Sequence, residues 1–264
     1  MKENIRRIKL YIKESTRAKE IAKRVEILLI QNEFIISEND YDLAISIGGD
    51  GTFLKMIHEN KFNNNIYYTG INAGSLGFLT DFDENNILEL ISSIKNNNYH
   101  IDEISYIESI IKSDTEITKY NSVNEFVIKK EDMKLLKADI YINNQLLEKF
   151  VGDGLLINTS TGSTAYSLSF NGSIIDNNLH IMQLTPIAPI NNKIFKSLKS
   201  SIIISNDKKI IIDLPSKQDL CFTCDGREIY INNVCQIINY VSNKNIKILN
   251  TKYNYFEKIN EKIL

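Results

Sequence analysis

Ser46-Ile47-Gly48-Gly49-Asp50-Gly51-Thr52-Phe53-Leu54 joins two segments of different periodicity. Upstream, Leu43-Ala44-Ile45-Ser46-Ile47 is apolar enough for a buried strand. Downstream, Phe53-Leu54-Lys55-Met56-Ile57-His58 spaces its apolar residues as a helix does. Glycines between a strand and a helix allow a tight turn and close approach of a ligand to the backbone. A helix start offers free N–H groups and the positive end of a dipole, which suits phosphate. Asp50 is the unexpected residue, because a carboxylate in such a turn repels phosphate. It makes sense if it takes a proton from a hydroxyl or helps to hold a metal. The turn therefore points to phosphoryl transfer onto an alcohol.

Working outward, Ile8–Ile12 reads as an opening strand and Ser15–Gln31 as a helix, with Ala18, Ile21, Ala22, Val25, Leu28 and Leu29 on one face. A strand over Ile66–Asn72 leads into the glycine-containing loop Ala73–Leu79, and Glu84–Lys95 reads as a helix. This alternation predicts an α/β N-terminal domain with a mostly parallel, Rossmann-like sheet.

Near residue 100 the helical period gives way to short alternating runs. Strands are expected over Tyr106–Ser113, Ser122–Lys130, Ala138–Ile142, Leu155–Ser160, Ser201–Ser205, Ile210–Leu214, Asp219–Cys224 and Asn245–Leu249. Asn143-Asn144, Asn206-Asp207 and Asn232-Asn233 read as turns between them. The expectation is an all-β, β-sandwich-like C-terminal domain over 101–249, following a nucleotide-binding domain over 1–100. The tail 250–264 would pack back on the first domain.

Three polar segments interrupt the β region. Asn124-Glu125, between apolar strand residues, could pair with a base edge and a ribose hydroxyl, or form a turn or a cross-strand polar pair. Gly152-Asp153-Gly154 is either a ligand-facing turn or a simple hairpin. Asn158–Ser169 gathers hydroxyls around Gly162 ahead of an expected helix, more than a cap requires.

Composition sets limits. The chain has 264 residues, 43% of them hydrophobic and 24% charged, so a packed core is expected. A formal net charge of -2 gives no footprint for nucleic acid or an anionic membrane. The first residues show no apolar signal-type run, and no segment approaches the about 20 apolar residues of a membrane span. A cytoplasmic protein is expected. Cys221-Phe222-Thr223-Cys224 lies in a strand-like context, which disfavours a redox motif. His58, His100 and His180 show no zinc-ligand spacing and no tie to a nucleophilic serine.

Taken in order, Gly-Gly-Asp-Gly-Thr, Asn-Glu, Gly-Asp-Gly and Thr161-Gly162-Ser163-Thr164-Ala165-Tyr166 closely resemble the NAD kinase family. Asn72–Leu79, Leu184–Pro189 and Asp225-Gly226 add to the resemblance, which covers about 40 to 230. It implies ATP-dependent, or polyphosphate-dependent, phosphorylation of the 2′-hydroxyl of the adenosine ribose of NAD. It also implies a divalent metal (Mg²⁺), a cytoplasmic homodimer or homotetramer, and an NAD site between the two domains.

Transferred to this chain, the resemblance makes Asp50 the base and lays Gly51 against the cofactor. Phe78 would pack near the adenine, and Asn124 with Glu125 would bond base or ribose groups. Asp153 would face the nicotinamide half. Thr161, Thr164, Ala165, Tyr166 and Ser169 would line the site, and Ala188 would approach it. No metal ligand is assigned. Two departures stand out. Val151 occupies a position often basic in the family, with Lys149 nearby, and no Lys or Arg stands inside the phosphate turn. Diacylglycerol-type lipid kinases share the first motif but call for an amphipathic membrane face. A non-catalytic NAD(P)-sensing module would lack Asp50 or the hydroxyl-rich segment.

Overall fold

A computed structural model describes residues 5–74, 77–132, 134–252 and 255–264. In chain order come β1 (Arg7–Ile12), α1 (Thr16–Gln31), β2 (Ile35–Ile36), β3 (Leu43–Gly48), α2 (Asp50–Glu59) and β4 (Tyr67–Asn72). β5 (Phe82–Asp83), α3 (Ile87–Lys95) and β6 (His100–Ile104) follow. Next are β7 (Ile107–Ser113), β8 (Ile117–Ser122), β9 (Glu125–Lys130), β10 (Leu136–Ile142), β11 (Gln145–Gly152) and β12 (Gly154–Thr159). Two 3₁₀ turns, Thr161–Thr164 and Tyr166–Phe170, precede β13 (Ile181–Ile187), β14 (Ile202–Ser205), β15 (Lys209–Cys224) and β16 (Arg227–Val241). β17 (Ile246–Asn250) and α4 (Tyr255–Ile263) close the chain. The contacts divide it into one unit of residues 1–103 with 246–264 and a second of residues 104–245.

In the first unit the strand order is β2-β1-β3-β4-β17-β6. β3 is parallel to β1 and β4, and β17 and β5 share the other side of β4, both parallel to it. β3 is buried along its whole length, as a parallel strand covered on both faces should be. α1 starts at Ser15, whose hydroxyl accepts the Ala18 N–H at 3.3 Å, and buries Ala18, Ile21, Ala22, Val25 and Leu29. Each large apolar side chain buried here, such as Ile45 or Phe53, stabilises the unit by about 1.5–3 kcal/mol. The chain leaves β1 for β2 on one side and then returns to β3 on the other. The order thus reverses between β1 and β3, and the glycine turn leaves the carboxyl end of β3. Open α/β sheets bind ligands at such a point.

The second unit is one antiparallel sheet ordered β14-β13-β12-β9-β15-β16-β7-β8, with β10 on β15 and β11 on β10. β15 changes partner along its length. Its Ile210–Asp213 stretch pairs with β10, and Leu220–Cys224 pairs with β9. Its core gathers Phe126, Phe150, Leu155, Ile157, Ile212 and Phe222, among others.

The structure corrects several expectations. Ile210–Leu214 and Asp219–Cys224 are one strand, because the ladder passes Pro215 with a register shift between Asp213 and Gln218. Asn232-Asn233 is not a turn but lies inside β16, where Asn233 takes φ 52° and the register slips. β8, β11, β13 and β16 were not expected as separate strands. The strand expected at Asn245–Leu249 is β17, which pairs with β4 and so joins the parallel sheet. No α-helix follows the hydroxyl-rich segment: two 3₁₀ turns take its place, and Asn171 ends the second in the left-handed region. The Ala73–Leu79 loop includes Ser75 and Leu76, which lie outside the described residues. None of the described helices is long and apolar enough to cross a membrane.

Candidate active site

In the first unit, α2 begins at Asp50 itself, with Gly49 as N-cap. A side-chain carbon added at Gly49 or Gly51 would meet nothing within 4 Å, so this helix start borders open space. Asp50 is turned toward the Gly77–Leu79 segment. Its Oδ2 accepts the Phe78 N–H at 2.7 Å and its Oδ1 accepts the Leu79 N–H at 3.0 Å. Gly77 permits this approach, since a Cβ there would fall 1.9 Å from Asp50 Oδ1. Thr80 Oγ1 accepts from Gly77 N and from Asn72 Nδ2, which ties the segment back to the end of β4. Each carboxylate oxygen keeps a second lone-pair site. Asp50 can therefore stay oriented by two N–H groups and still accept a hydroxyl proton.

Phe78 also meets α4. Lys258 Nζ donates to Phe78 O at 2.9 Å and to Asp81 Oδ1 at 2.6 Å; Lys258 is buried and Asp81 half-buried. One turn further on, Lys262 Nζ lies 4.7 Å from the centre of the Phe78 ring. Burial holds the Lys262 ammonium below the ordinary lysine range, while the Asp50 charge acts in the opposite sense.

In the second unit, Asn124 and Glu125 stand at the start of β9. The Asp225 carboxylate, in the turn between β15 and β16, accepts the N–H groups of Val123, Asn124 and Glu125 at 2.8, 2.7 and 3.3 Å. The backbone is thus pinned, yet Asn124 Oδ1 and Glu125 Oε2 are buried without a partner. Such acceptors are costly unless something bonds them. Burial pushes the Glu125 carboxyl up to about 8; the Asp225 charge adds to this, and the Tyr166 N–H works against it. At neutral pH Glu125 is protonated and can donate a hydrogen bond.

The hydroxyl-rich segment packs onto this pair. Thr159 Oγ1 donates to Val123 O at 2.6 Å and accepts from Gly162 N at 3.1 Å. Gly162 is obligatory, because a Cβ there would sit 2.0 Å from Asn124 O. Thr161 is buried, and Thr164 and Ala165 are half-buried, while Tyr166 and Ser169 are exposed. The segment then turns back over the sheet, where Phe170 packs against Val127, Leu156 and Ile187.

Asp153 and Ala188 meet at the other end of β12. Asp153 N donates to Ile187 O at 3.0 Å, and exposed Ala188 holds a left-handed φ of 43°. Gly152 and Gly154 belong to β11 and β12, which do not pair, so Asp153 marks a junction and not a hairpin. Val151 is buried and faces Lys137 across the ladder, and Lys149 is exposed on the same strand. Lys129 stands opposite Gly154 at this end, with Nζ 5.7 Å from the Tyr166 ring centre.

Sequence reasoning did not assign roles to Lys129, Lys258 or Lys262, and saw Asp225 only as a turn residue. No local motif marks the lysines, and only the fold brings them to the site. Among the described residues no group of three or more His, Cys, Asp or Glu side chains could hold a metal. Burial pushes the Cys224 thiol up to about 12, and Cys221, three positions away on a strand, points to the other face.

The family profile described as ATP-NAD kinase N-terminal domain matches residues 3–99, and the ATP-NAD kinase C-terminal domain profile matches 123–250. An NAD kinase of Finegoldia magna is 36% identical over 80% of this chain and 79% of its own. One from Enterococcus faecalis is 32% identical over 91% of each chain. The fold matches yeast NADH kinase complexed with NADH (TM-score 0.86, 19% identity, 99% of this chain and 88% of that one). It also matches an NAD kinase from Archaeoglobus fulgidus in complex with ATP (TM-score 0.77, 19% identity, 97% and 98%). Two profiles in the right order, together with relatives above 30% identity over most of their length, make this chain a member of the NAD kinase family.

Proposed function

We propose that the protein transfers the γ-phosphoryl group of ATP, or a terminal phosphoryl of polyphosphate, to the 2′-hydroxyl of the adenosine ribose of NAD, forming NADP. The observation that carries the reading is the Asp50 carboxylate, oriented by the Phe78 and Leu79 N–H groups beside the open start of α2. As the 2′-oxygen attacks the γ-phosphorus, Asp50 takes the hydroxyl proton, the bond to the β-phosphate oxygen breaks, and ADP leaves. The transition state for such transfer is loose, so orientation counts for more than a strong base. The α2 N–H groups would receive phosphate oxygens.

Asn124 Oδ1 and Glu125 Oε2 would take ligand donors, and protonated Glu125 would donate in return. Phe78 would offer an adenine contact. Thr161, Thr164, Ala165, Tyr166 and Ser169 would line the pyridine-dinucleotide site, with Asp153 and Ala188 at its nicotinamide end. With no three-donor metal cluster among the described residues, the chain fits a divalent ion carried on the donor's phosphates, as Mg²⁺ usually is. That ion would offset phosphate charge. The family resemblance also supports a cytoplasmic homodimer or homotetramer, which sedimentation equilibrium distinguishes.

The test is NADP formation from NAD, ATP and Mg²⁺, read with an NADP-specific dehydrogenase. Asp50→Asn should cut kcat by roughly 10²–10⁴-fold with NAD affinity largely kept. Unchanged turnover would remove Asp50 as the base. NAD binding without NADP, from ATP or polyphosphate, would mark a sensor.

A further inference from the structure

The turn Gly48–Thr52 contains no Lys or Arg. A triphosphate brought to it would be met by N–H groups, yet also by the Asp50 carboxylate. Phe78 organises the surrounding charges. Its N–H bonds Asp50, its carbonyl accepts from Lys258, and its ring carries Lys262. A cation and the carboxylate thus both meet one half-buried residue, and the Asp50 charge acts on Lys262. Lys258 and Lys262 are four positions apart on α4 and share a face. Two like charges on one face oppose each other, and each lowers the other's tolerance for burial. Lys258 is offset by Asp81 at 2.6 Å. Lys262 is held by an aromatic face instead, a placement that leaves its three donors available for an anion. The groups that act on it are Asp50, Lys258 and Glu261.

Resting on the kinase reading above, we propose that α4 supplies a cation to the phosphate turn, which has none within Gly48–Thr52. Lys262 binds phosphoryl oxygens of the donor beside Asp50, and the Lys258–Asp81 pair sets the position of the helix from which it reaches. Lys262 then counters the repulsion between Asp50 and the donor, and balances charge as the γ-phosphoryl leaves the β-phosphate oxygen.

Steady-state kinetics and calorimetry on the full chain test this with Lys262→Met and Lys262→Arg. The Met variant should lose roughly 10- to 100-fold in kcat/KM for ATP, as expected for a charge-assisted contact to phosphate. KM for NAD should move by less than about threefold, the melting midpoint should hold, and the Arg variant should recover most of the loss. Equal kcat/KM for ATP in wild type and Lys262→Met overturns the proposal. So does an equal loss in both variants accompanied by a lower melting midpoint, which marks a packing role. Inorganic triphosphate binding gives a readout independent of turnover. If wild type makes no NADP, the kinase reading fails, and the Lys262 assignment still stands or falls on whether Lys262→Met weakens triphosphate binding.

Discussion

Glu125 is a carboxyl whose surroundings oppose its charge. In the folded chain it keeps its proton to about 8, while its ordinary value is 4.5. Between these values the unfolded chain binds fewer protons than the native one, so stability falls as pH rises through that window and levels off above about 8. Urea unfolding at a series of pH values from about 4.5 to 8.5 should show this slope, and Glu125→Gln should flatten it. Gly77 acts at the same scale. Gly77→Ala puts a methyl where Asp50 Oδ1 now sits, at 1.9 Å. Displacing the carboxylate by about 1 Å should lower kcat on the order of 10²-fold. Steady-state kinetics at saturating NAD and ATP would detect it. Asp50 was legible as a chemically odd residue within a strand–turn–helix. Its bonds to Phe78 and Leu79, 28 and 29 positions away, were not, because they depend on how the segment after β4 folds back.

Among the elements, α4 is the one whose sequence says least about its use. It buries Lys258, 3% exposed, against Asp81 and the Phe78 carbonyl. Lys258→Met leaves the half-buried Asp81 carboxylate without its cation and should destabilise the fold by about 1–3 kcal/mol. Guanidinium unfolding checks this, and a loss below about 1 kcal/mol would show the pair to be solvated. The long strands teach a related lesson. Pro215 and Asn232-Asn233 have the composition of turns, and local chemistry cannot tell a turn from a bulge in a continuing strand. β15 and β16 remain unbroken because each pairs with the other on both sides of the irregularity. The parallel strands β3 and β4 were readable, since burial on both faces leaves an apolar run, and β1 was readable from its alternation. β11 was not, because its first half is largely exposed and carries no alternation.

At the scale of the molecule, residues 104–245 enclose a core of their own, whereas the first unit is discontinuous in sequence. β17 stands between β4 and β6 in its sheet. A fragment of residues 104–245 should melt cooperatively by circular dichroism. A fragment of residues 1–103 should not, because half of one β4 edge stays unpaired and α4 is missing. A cooperative melt of the second fragment would mean that β1, β3 and β4 suffice. The separation of Asp225 from Asn124, 101 positions, shows why this part of the candidate site escaped sequence reading. Motifs mark what touches a ligand, and the groups that aim those motifs come from anywhere in the chain.

The place of β17 also bears on how the protein is made. Ribosomes add about 5–20 residues per second. The strand that completes the parallel sheet therefore emerges roughly 7–29 s after residue 103, when the whole antiparallel unit has already been synthesised. During that interval the nascent β4 edge is open to neighbouring chains on the same message, and the Phe78 segment has no α4 to hold it. A polypeptide released before α4 would carry the full Gly-Gly-Asp-Gly-Thr turn without the Lys258 contact that holds the Phe78 carbonyl.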